Sequence, residues 1–336
     1  MTVVAAKAGG LADAVAARVL SPGDDARLDD AVRRLVKAAG DSLQGVVFFG
    51  SHRTGAARAN EWSAYDLFVL VESYRPFYER VRQAGLSGKH PALMSVVSRW
   101  LPPTQVSLRF EPPGVHVKAA VIRLDTFARE TSPRRRDHFC VGRLFQPSRI
   151  LYARDPEVRG RVLRALVSAH EETWRWVRPW LPERFDAEAY GLAALRVSMS
   201  WEVRPEPAGR ADALWAVQRE EQLPVFEALL AGLGLRGDLV LASGVPLAWS
   251  ASGAARRHER AWLALYFRWS LARATMRWLK HVVSFEGWLD YILRKANRHT
   301  GEPVVLTERE RRWPWLFLWG RLFRYLRRRN RQGSPR

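Results

Sequence analysis

Two short apolar segments in the first quarter of the sequence constrain the fold more than any other feature. Residues 45–49 read Gly-Val-Val-Phe-Phe and lead into Gly50 and Ser51, and residues 65–71 read Tyr-Asp-Leu-Phe-Val-Leu-Val. Short runs of β-branched and aromatic residues bounded by turn residues are typical of buried strands. Asp66 lies inside the second run, where a carboxylate is costly unless it is paired or binds a metal ion. The two segments therefore predict two strands, with an acidic group placed for a chemical role.

The rest of the first half continues an α/β pattern. Helical or strand-like spacing marks residues 31–39, 78–84, 106–110 and 115–122. From about residue 155 the pattern changes to long helices, with candidate segments at 158–180, 187–201, 211–233 and 259–281. The sequence predicts an α/β domain with a mixed sheet over residues 1–154, followed by a mostly α-helical domain over residues 155–306.

Composition limits the possible partners and locations. The chain has 336 residues, with 54 Lys and Arg against 34 Asp and Glu, and its formal net charge is +20. This surplus favours a polyanionic partner such as nucleic acid, an anionic membrane or a phosphorylated substrate. The single cysteine, Cys140, excludes an internal disulfide and a cysteine-based zinc knuckle. No run reaches the roughly 20 apolar residues of a membrane span, and the N-terminus lacks a signal-peptide pattern. We therefore expect a cytoplasmic protein, soluble or peripheral on the inner face of the membrane.

The last 30 residues, 307–336, form a basic and aromatic segment that holds ten Arg and two Glu. Thr307 and Glu310 fit a capping box that would begin a helix, although Pro314 predicts a kink or a fresh start. Continued as a helix, one face would carry Trp315, Trp319, Leu322 and Leu326. Apolar bulk beside a basic cluster is typical of an amphipathic interfacial helix, so we expect residues 313–331 to bind an anionic membrane surface rather than nucleic acid. The alternative is a helix packed on the core.

The Gly50–Ser51 turn and Asp66 have a pattern that suits nucleotide chemistry. A strand that ends in Gly-Ser can direct backbone N–H groups and a hydroxyl at a triphosphate. An acidic residue on the next strand supplies an oxygen ligand for Mg²⁺. This arrangement resembles the nucleotidyltransferase superfamily, in which Gly-Ser is followed by two carboxylates one residue apart. Ala64 stands at the first carboxylate position here, so only Asp66 remains.

Two later segments narrow the resemblance. Residues 117–122 read Val-Lys-Ala-Ala-Val-Ile, residues 141–147 read Val-Gly-Arg-Leu-Phe-Gln-Pro, and a Gly-Leu helix begins at Gly191. In this order and spacing they resemble the mitochondrial translocator assembly and maintenance family, which are phosphatidate cytidylyltransferases of nucleotidyltransferase fold. A single carboxylate in the Asp66 strand is usual there. The departures are Phe-Gln where the family has Gln-Lys, Ala-Ala for Tyr-Gly, and an Arg-rich insertion at residues 134–136.

The resemblance implies a division of roles among the motif residues. Gly50 and Ser51 would hold the phosphates of CTP, and Asp66 would bind Mg²⁺. Glu72 and Asp125 are the candidates for a second metal-binding carboxylate. Ser51 is equally a common turn residue, and only Asp66 is difficult to explain without a chemical role.

Lys118 and Arg143 are the predicted clamps on phosphate or on the lipid headgroup. The alternatives are that Lys118 is an ordinary lysine of an edge strand and that Arg143 pairs structurally with an acid. The resemblance implies a CTP:phosphatidate cytidylyltransferase that makes CDP-diacylglycerol from CTP and phosphatidic acid with Mg²⁺. Two other functions stay open, namely a soluble nucleotidyltransferase with a small-molecule or RNA acceptor, and a catalytically inactive module that binds nucleic acid or membrane.

Overall fold

A computed structural model describes residues 10–23, 25–53, 64–111, 114–202, 209–241, 247–248, 253–284 and 306–312. The chain divides into two compact units, Met1–Lys280 and His281–Arg336. In the described ranges the helices are α1 Leu11–Val19, α2 Ala26–Ala39, α3 Tyr74–Gln83, α4 Pro91–Trp100, α5 Leu124–Glu130, α6 Val141–Leu144, α7 Pro156–Val177, α8 Ala187–Ser200, α9 Arg210–Leu235, α10 Gly253–Ser284 and α11 Glu308–Arg312.

A five-stranded mixed sheet organises the first unit. Its strands are β1 Leu43–Phe49, β2 Tyr65–Val71, β3 Thr104–Phe110, β4 Val115–Arg123 and β5 Arg149–Ala153. They lie in the order β3-β4-β2-β1-β5, and all neighbours are antiparallel except the parallel pair β2 and β4. Three two-residue strands, β6 Arg184–Phe185, β7 Val240–Leu241 and β8 Leu247–Ala248, form a separate small sheet. The prediction of an α/β fold with a mixed sheet is confirmed.

Helices cover both faces of the five-stranded sheet. Successive side chains of a strand point to opposite faces, and in β2 the buried residues Leu67 and Val69 pack against α2, α3 and α4. Phe68 and Leu70 point the other way and pack among residues of α1, α5, α6 and α7. We name these the α2 face and the α7 face. Because Asp66 is two residues before Phe68, its side chain belongs to the α7 face.

Helix α7 connects the sheet to a layer of helices. It begins after Asp155, whose carboxylate accepts a hydrogen bond of 2.8 Å from the Val158 N–H. Its first half contributes Val158, with other apolar residues, to the α7 face. Its second half places Trp176 in a separate core built with α8, α9 and α10. Because one helix belongs to both cores, residues 1–280 form one compact unit, and the domain boundary near residue 155 stays a prediction.

The described part of the second unit is limited to residues 281–284 and 306–312. The predicted capping box at its later end is confirmed, because the Thr307 N–H donates to Glu310 Oε2 at 2.9 Å and the Glu310 N–H donates to Thr307 Oγ1 at 3.3 Å. The predicted break at Pro314 and membrane-binding segment 313–331 lie outside the described residues. Within the described ranges, every helix is too short or too polar to cross a bilayer.

Candidate functional site

The turn after β1 brings a backbone and a carboxylate into close contact. Gly50 has a φ of +86°, a conformation that side-chain-bearing residues rarely adopt. A Cβ atom at this position would lie 2.7 Å from Asp66 Oδ2 and 3.1 Å from Asp66 Cβ. Glycine is therefore required twice, for its conformation and for the space that the Asp66 carboxylate occupies. The Asp66 side chain lies directly against the Gly50 backbone.

Strand register places a lysine beside this carboxylate. Asp66 pairs with Phe49 of β1 on one side and with Lys118 of β4 on the other. Directly paired residues of neighbouring strands point to the same face, and the strands are about 4.8 Å apart. Asp66 and Lys118 therefore lie side by side on the α7 face, and Ser107 of β3 pairs with Lys118 from the far side. The structure brings together four of the predicted residues: Gly50, Ser51, Asp66 and Lys118.

His52 follows the turn and is influenced by charges on both faces of the sheet. Burial lowers the pKa of its imidazole, Asp66 and Asp25 act in the opposite direction, and Lys118 lowers the pKa further. Its ring is 4.9 Å from the ring of Tyr65, whose residue packs on the α2 face. His52 therefore experiences the Asp66–Lys118 pair from one face and Asp25 from the other.

An open cavity of about 530 Å³ lies on the α2 side of the turn. Its lining is aromatic and basic and consists of Asp25, Ala26, Arg27, Phe48, His52, Arg53, Tyr65 and Arg149. Asp25 caps α2 and also accepts a hydrogen bond of 2.5 Å from the Tyr65 hydroxyl. Burial and this bond raise the pKa of Tyr65 to about 12, so the phenol stays protonated. The Arg149 guanidinium is 5.7 Å from the Phe48 ring centre and donates to the Pro22 carbonyl.

Arg53 attaches the turn to the helical layer. Its guanidinium forms two hydrogen bonds to the carboxylate of Glu221 on α9, and the Arg53 side chain is only 14% exposed. The neighbouring Gln222 bonds Arg18 of α1 and donates to the Phe145 carbonyl at 2.8 Å. A bidentate pair of low exposure restricts orientation as well as contributing energy. The position of Arg53 is therefore fixed by α9.

Arg143 is held by an aromatic ring on the same face as Asp66. Its guanidinium carbon is 4.0 Å from the Phe139 ring centre, and its Nη1 donates to the Phe139 carbonyl at 3.1 Å. The Phe139 ring meets Phe68, the next α7-face residue of β2 after Asp66, edge-to-face at 6.2 Å. Arg277 lies 5.0 Å from the Phe139 ring centre. The stacking fixes the position of the Arg143 guanidinium on this face. The structure does not bring Arg143 together with Asp66 and Lys118.

Two motif glycines have packing roles. A Cβ on Gly142, beside Arg143, would lie 2.7 Å from the His138 ring and 3.0 Å from Ser198 Oγ of α8. A Cβ on Gly191 would lie 2.3 Å from the Trp215 ring, where α8 and α9 touch. These glycines allow close approach between helices, so their presence in the motifs has an explanation independent of any substrate.

Glu72 and Asp125 lie at the opposite end of the sheet. Glu72 is six residues beyond Asp66 along an extended chain, which corresponds to about 20 Å, and its N–H bonds the Ser42 carbonyl before β1. Asp125 follows the end of β4, where Arg123 pairs with Val71, and it accepts a hydrogen bond of 2.6 Å from Arg123. Neither carboxylate can share an ion with Asp66, which corrects the expectation that one of them completes the metal site.

Of the three carboxylates predicted to bind Mg²⁺, Asp66 is the one that lies at the Gly50 turn. Among the described residues, no three His, Cys, Asp or Glu side chains converge on one point as metal ligands would. Mg²⁺ often takes only one or two protein carboxylates and completes its shell with water and substrate phosphates. A single carboxylate in close contact with the Gly50 backbone fits this mode, in which few protein ligands are needed.

The comparisons with known proteins identify no family. Neither the scan of protein-family models nor the search of curated proteins found a match for this sequence.

Most of the residues that line the cavity were not predicted from the sequence. Tyr65, Asp25 and Arg149 come from three separate segments, and no motif links them. His52 and Arg53 follow Ser51 directly, and their position was the only available signal. The assembled end of the sheet combines a carboxylate, an ammonium group and a glycine turn on one side with guanidinium groups on the other. Such a set can bind phosphate groups and neutralise charge that develops on them.

Proposed function

We propose that this protein is a nucleotidyltransferase of the CTP:phosphatidate cytidylyltransferase type, acting peripherally on the inner face of the membrane. It would form CDP-diacylglycerol and pyrophosphate from CTP and phosphatidic acid. The contact that carries the proposal is the Asp66 carboxylate against the Gly50 backbone, with Lys118 paired in register beside it. The order of the motifs around Gly50, Asp66, Lys118 and Arg143 supports the same activity.

The reaction needs positioning and charge neutralisation more than proton transfer. An oxygen of the phosphatidate phosphate attacks the α-phosphorus of CTP, a new P–O bond forms, and the bond to the bridging oxygen breaks to release pyrophosphate. A phosphate monoester has a second pKa of about 6, so the nucleophile is ionised at neutral pH without a general base. Catalysis of phosphoryl-type transfer then depends on orientation and electrostatic stabilisation.

The residues at the end of the sheet have corresponding tasks. The Gly50–Ser51 backbone would contact the phosphates, and Lys118 would neutralise the charge that accumulates on the leaving pyrophosphate. Asp66 would hold Mg²⁺, which when bound would neutralise negative charge on the phosphates. Arg143, stacked on Phe139, would attract the lipid phosphate from the α7 face. The cavity beside His52 adds Arg27 and Arg149 at the same end of the sheet.

The test incubates the purified full chain with Mg²⁺, one labelled nucleoside triphosphate at a time, and vesicles that contain phosphatidate. Label from CTP in the lipid fraction, together with stoichiometric pyrophosphate, is the expected result. Consumption of a nucleotide without labelled lipid would instead favour a soluble acceptor. The absence of nucleotide binding and of turnover with all four nucleotides would favour an inactive binding module and would overturn the proposal.

A further inference from the structure

Among the described residues, the most exposed tryptophans lie on α4 and α10. Trp100 of α4 is 63% exposed, and Trp262 and Trp269 of α10 are 63% and 54% exposed. Trp residues combine a large apolar ring with a polar N–H, and they are enriched where apolar and aqueous surroundings meet. Large exposed apolar side chains accompany them on the same helices: Leu93, Val96 and Leu265.

Each helix arranges these side chains as a stripe. On α10, Trp262, Leu265 and Trp269 follow the spacing i, i+3, i+7, which keeps them on one face. The opposite face of α10 carries buried residues such as Phe267 and Ser270. On α4, Leu93, Val96 and Trp100 repeat the same spacing, while Met94 and Ser98 are buried.

Helix α10 contacts α4 near the C-terminal end of α10. Lys280 is eleven residues after Trp269 and eighteen after Trp262, which correspond to about three and five helical turns. It therefore lies on the stripe side of α10. Its Nζ donates to the Val97 carbonyl at 3.1 Å, to Thr104 Oγ1 at 2.9 Å and to the Leu101 carbonyl. Lys280 therefore joins α10 to the end of α4, and the two stripes lie on helices that are in contact. We name the six side chains of these stripes the Trp surface.

The two helices that carry the Trp surface are predominantly basic. Arg99, Arg257 and Arg268 are exposed beside the stripes, and α4 contains no acidic residue. The single acid of α10, Glu259, is paired with Arg178 at 2.8 Å. An apolar stripe with a basic border is typical of a surface that lies in the interface of an anionic bilayer. A symmetric dimer through this surface would instead bring the arginines of both copies together.

We propose that the Trp surface docks the protein on an anionic lipid bilayer, independently of residues 313–331. The rings of Trp100, Trp262 and Trp269 would enter the interfacial region, and the arginines would contact lipid phosphates. This surface goes beyond the proposed function and does not rest on it, since a bilayer can be bound without turnover.

The experiment measures sedimentation of the full chain with vesicles of phosphatidylcholine alone and of phosphatidylcholine mixed with phosphatidylglycerol, without nucleotide. The variant Trp262→Ala/Trp269→Ala tests the surface, and Val217→Ala/Leu235→Ala, which removes exposed apolar groups from α9, is the matched control. We expect the wild type and the control to bind anionic vesicles. The tryptophan variant should bind them with an affinity that is lower by about tenfold or more. Both variants should keep the unfolding midpoint of the wild type.

Three results would overturn the inference. They are equal vesicle binding by the tryptophan variant and the wild type, equal binding to neutral and anionic vesicles, and a concentration-dependent oligomer that only the tryptophan variant loses. Activity is measured separately with a short-chain, monomeric phosphatidate. The tryptophan variant should retain it, so a failed reaction with intact vesicle binding would count against the proposed function alone.

Discussion

The contact between Gly50 and Asp66 makes Gly50→Ala a sharp perturbation of the candidate site. The residue has a φ of +86°, and an L-residue in the left-handed region costs about 1–2 kcal/mol. The added Cβ would also lie 2.7 Å from Asp66 Oδ2, where ordinary contact begins at 3.4 Å. The carboxylate must therefore move by about 0.7 Å. Such overpacking should lower the free energy of unfolding by a further amount of about 1–3 kcal/mol.

Gly85→Ala is the matched control, because Gly85 has a φ of +72° and no atom would lie within 4 Å of its Cβ. Both variants should lose the conformational part of the free energy of unfolding, measured from urea denaturation midpoints. Only Gly50→Ala should also lose activity, by about 10²-fold, since a displacement of this order at a reacting centre has that effect. Equal activity of the two variants, each corrected for its folded fraction, would refute the assigned role of the contact.

Two further predictions follow from the structure and a third from the sequence of the C-terminal segment. Lys118→Met should lower kcat/KM by about 10²-fold with little change in the unfolding midpoint, whereas Lys118→Arg should retain part of the activity. If Lys118→Met instead unfolds more easily while its folded fraction keeps full activity, the role of Lys118 is structural. Burial lowers the pKa of His138 and of His170 to about 3 from 6.5, so below pH 6.5 the unfolded chain binds protons that the folded chain does not. The free energy of unfolding should therefore fall with decreasing pH, by about 1.4 kcal/mol per pH unit for each histidine. In urea titrations, His138→Leu should reduce this pH dependence by about half. An unchanged pH dependence in the variant would contradict the prediction. In the C-terminal segment, Trp315→Ala/Trp319→Ala should weaken binding to anionic vesicles if that segment inserts, and unchanged binding with a lower unfolding midpoint would indicate a helix packed on the core.

Local patterns were sufficient to predict most elements of the fold. The β1 and β2 segments are mostly apolar, with Asp66 as the exception in β2, and α7, α8, α9 and α10 have clear helical spacing. Each was predicted, with ends that differ from the observed ones by up to six residues. Strand β5 was missed because its apolar run is only four residues long, residues 150–153, and its five residues are all half-buried at the edge of the sheet. Helix α4 was missed because serine and valine interrupt a short segment of weak helix propensity.

The candidate site shows where sequence reasoning stops. The turn at Gly50 and the carboxylate of Asp66 were predicted from local chemistry, but the pairing of Asp66 with Lys118 depends on β2 and β4 being parallel neighbours. Two segments 52 residues apart acquire this relation only through the order of strands in the sheet. The prediction of Glu72 and Asp125 as metal ligands was wrong for a simpler reason. Each follows the end of an extended strand that is opposite to the end carrying Asp66 and Lys118.

The most direct test of the account is transfer of labelled cytidylate from CTP to phosphatidate by the wild type and by Asp66→Asn. Asp30→Asn is the control, because Asp30 is an exposed acid of α2 paired with Arg33. We predict Mg²⁺-dependent formation of lipid-linked cytidylate by the wild type and by Asp30→Asn. We also predict a loss of about 10²-fold or more in Asp66→Asn at an unchanged unfolding midpoint. Wild-type rates in Asp66→Asn, or an absence of labelled lipid in all three proteins, would contradict the account.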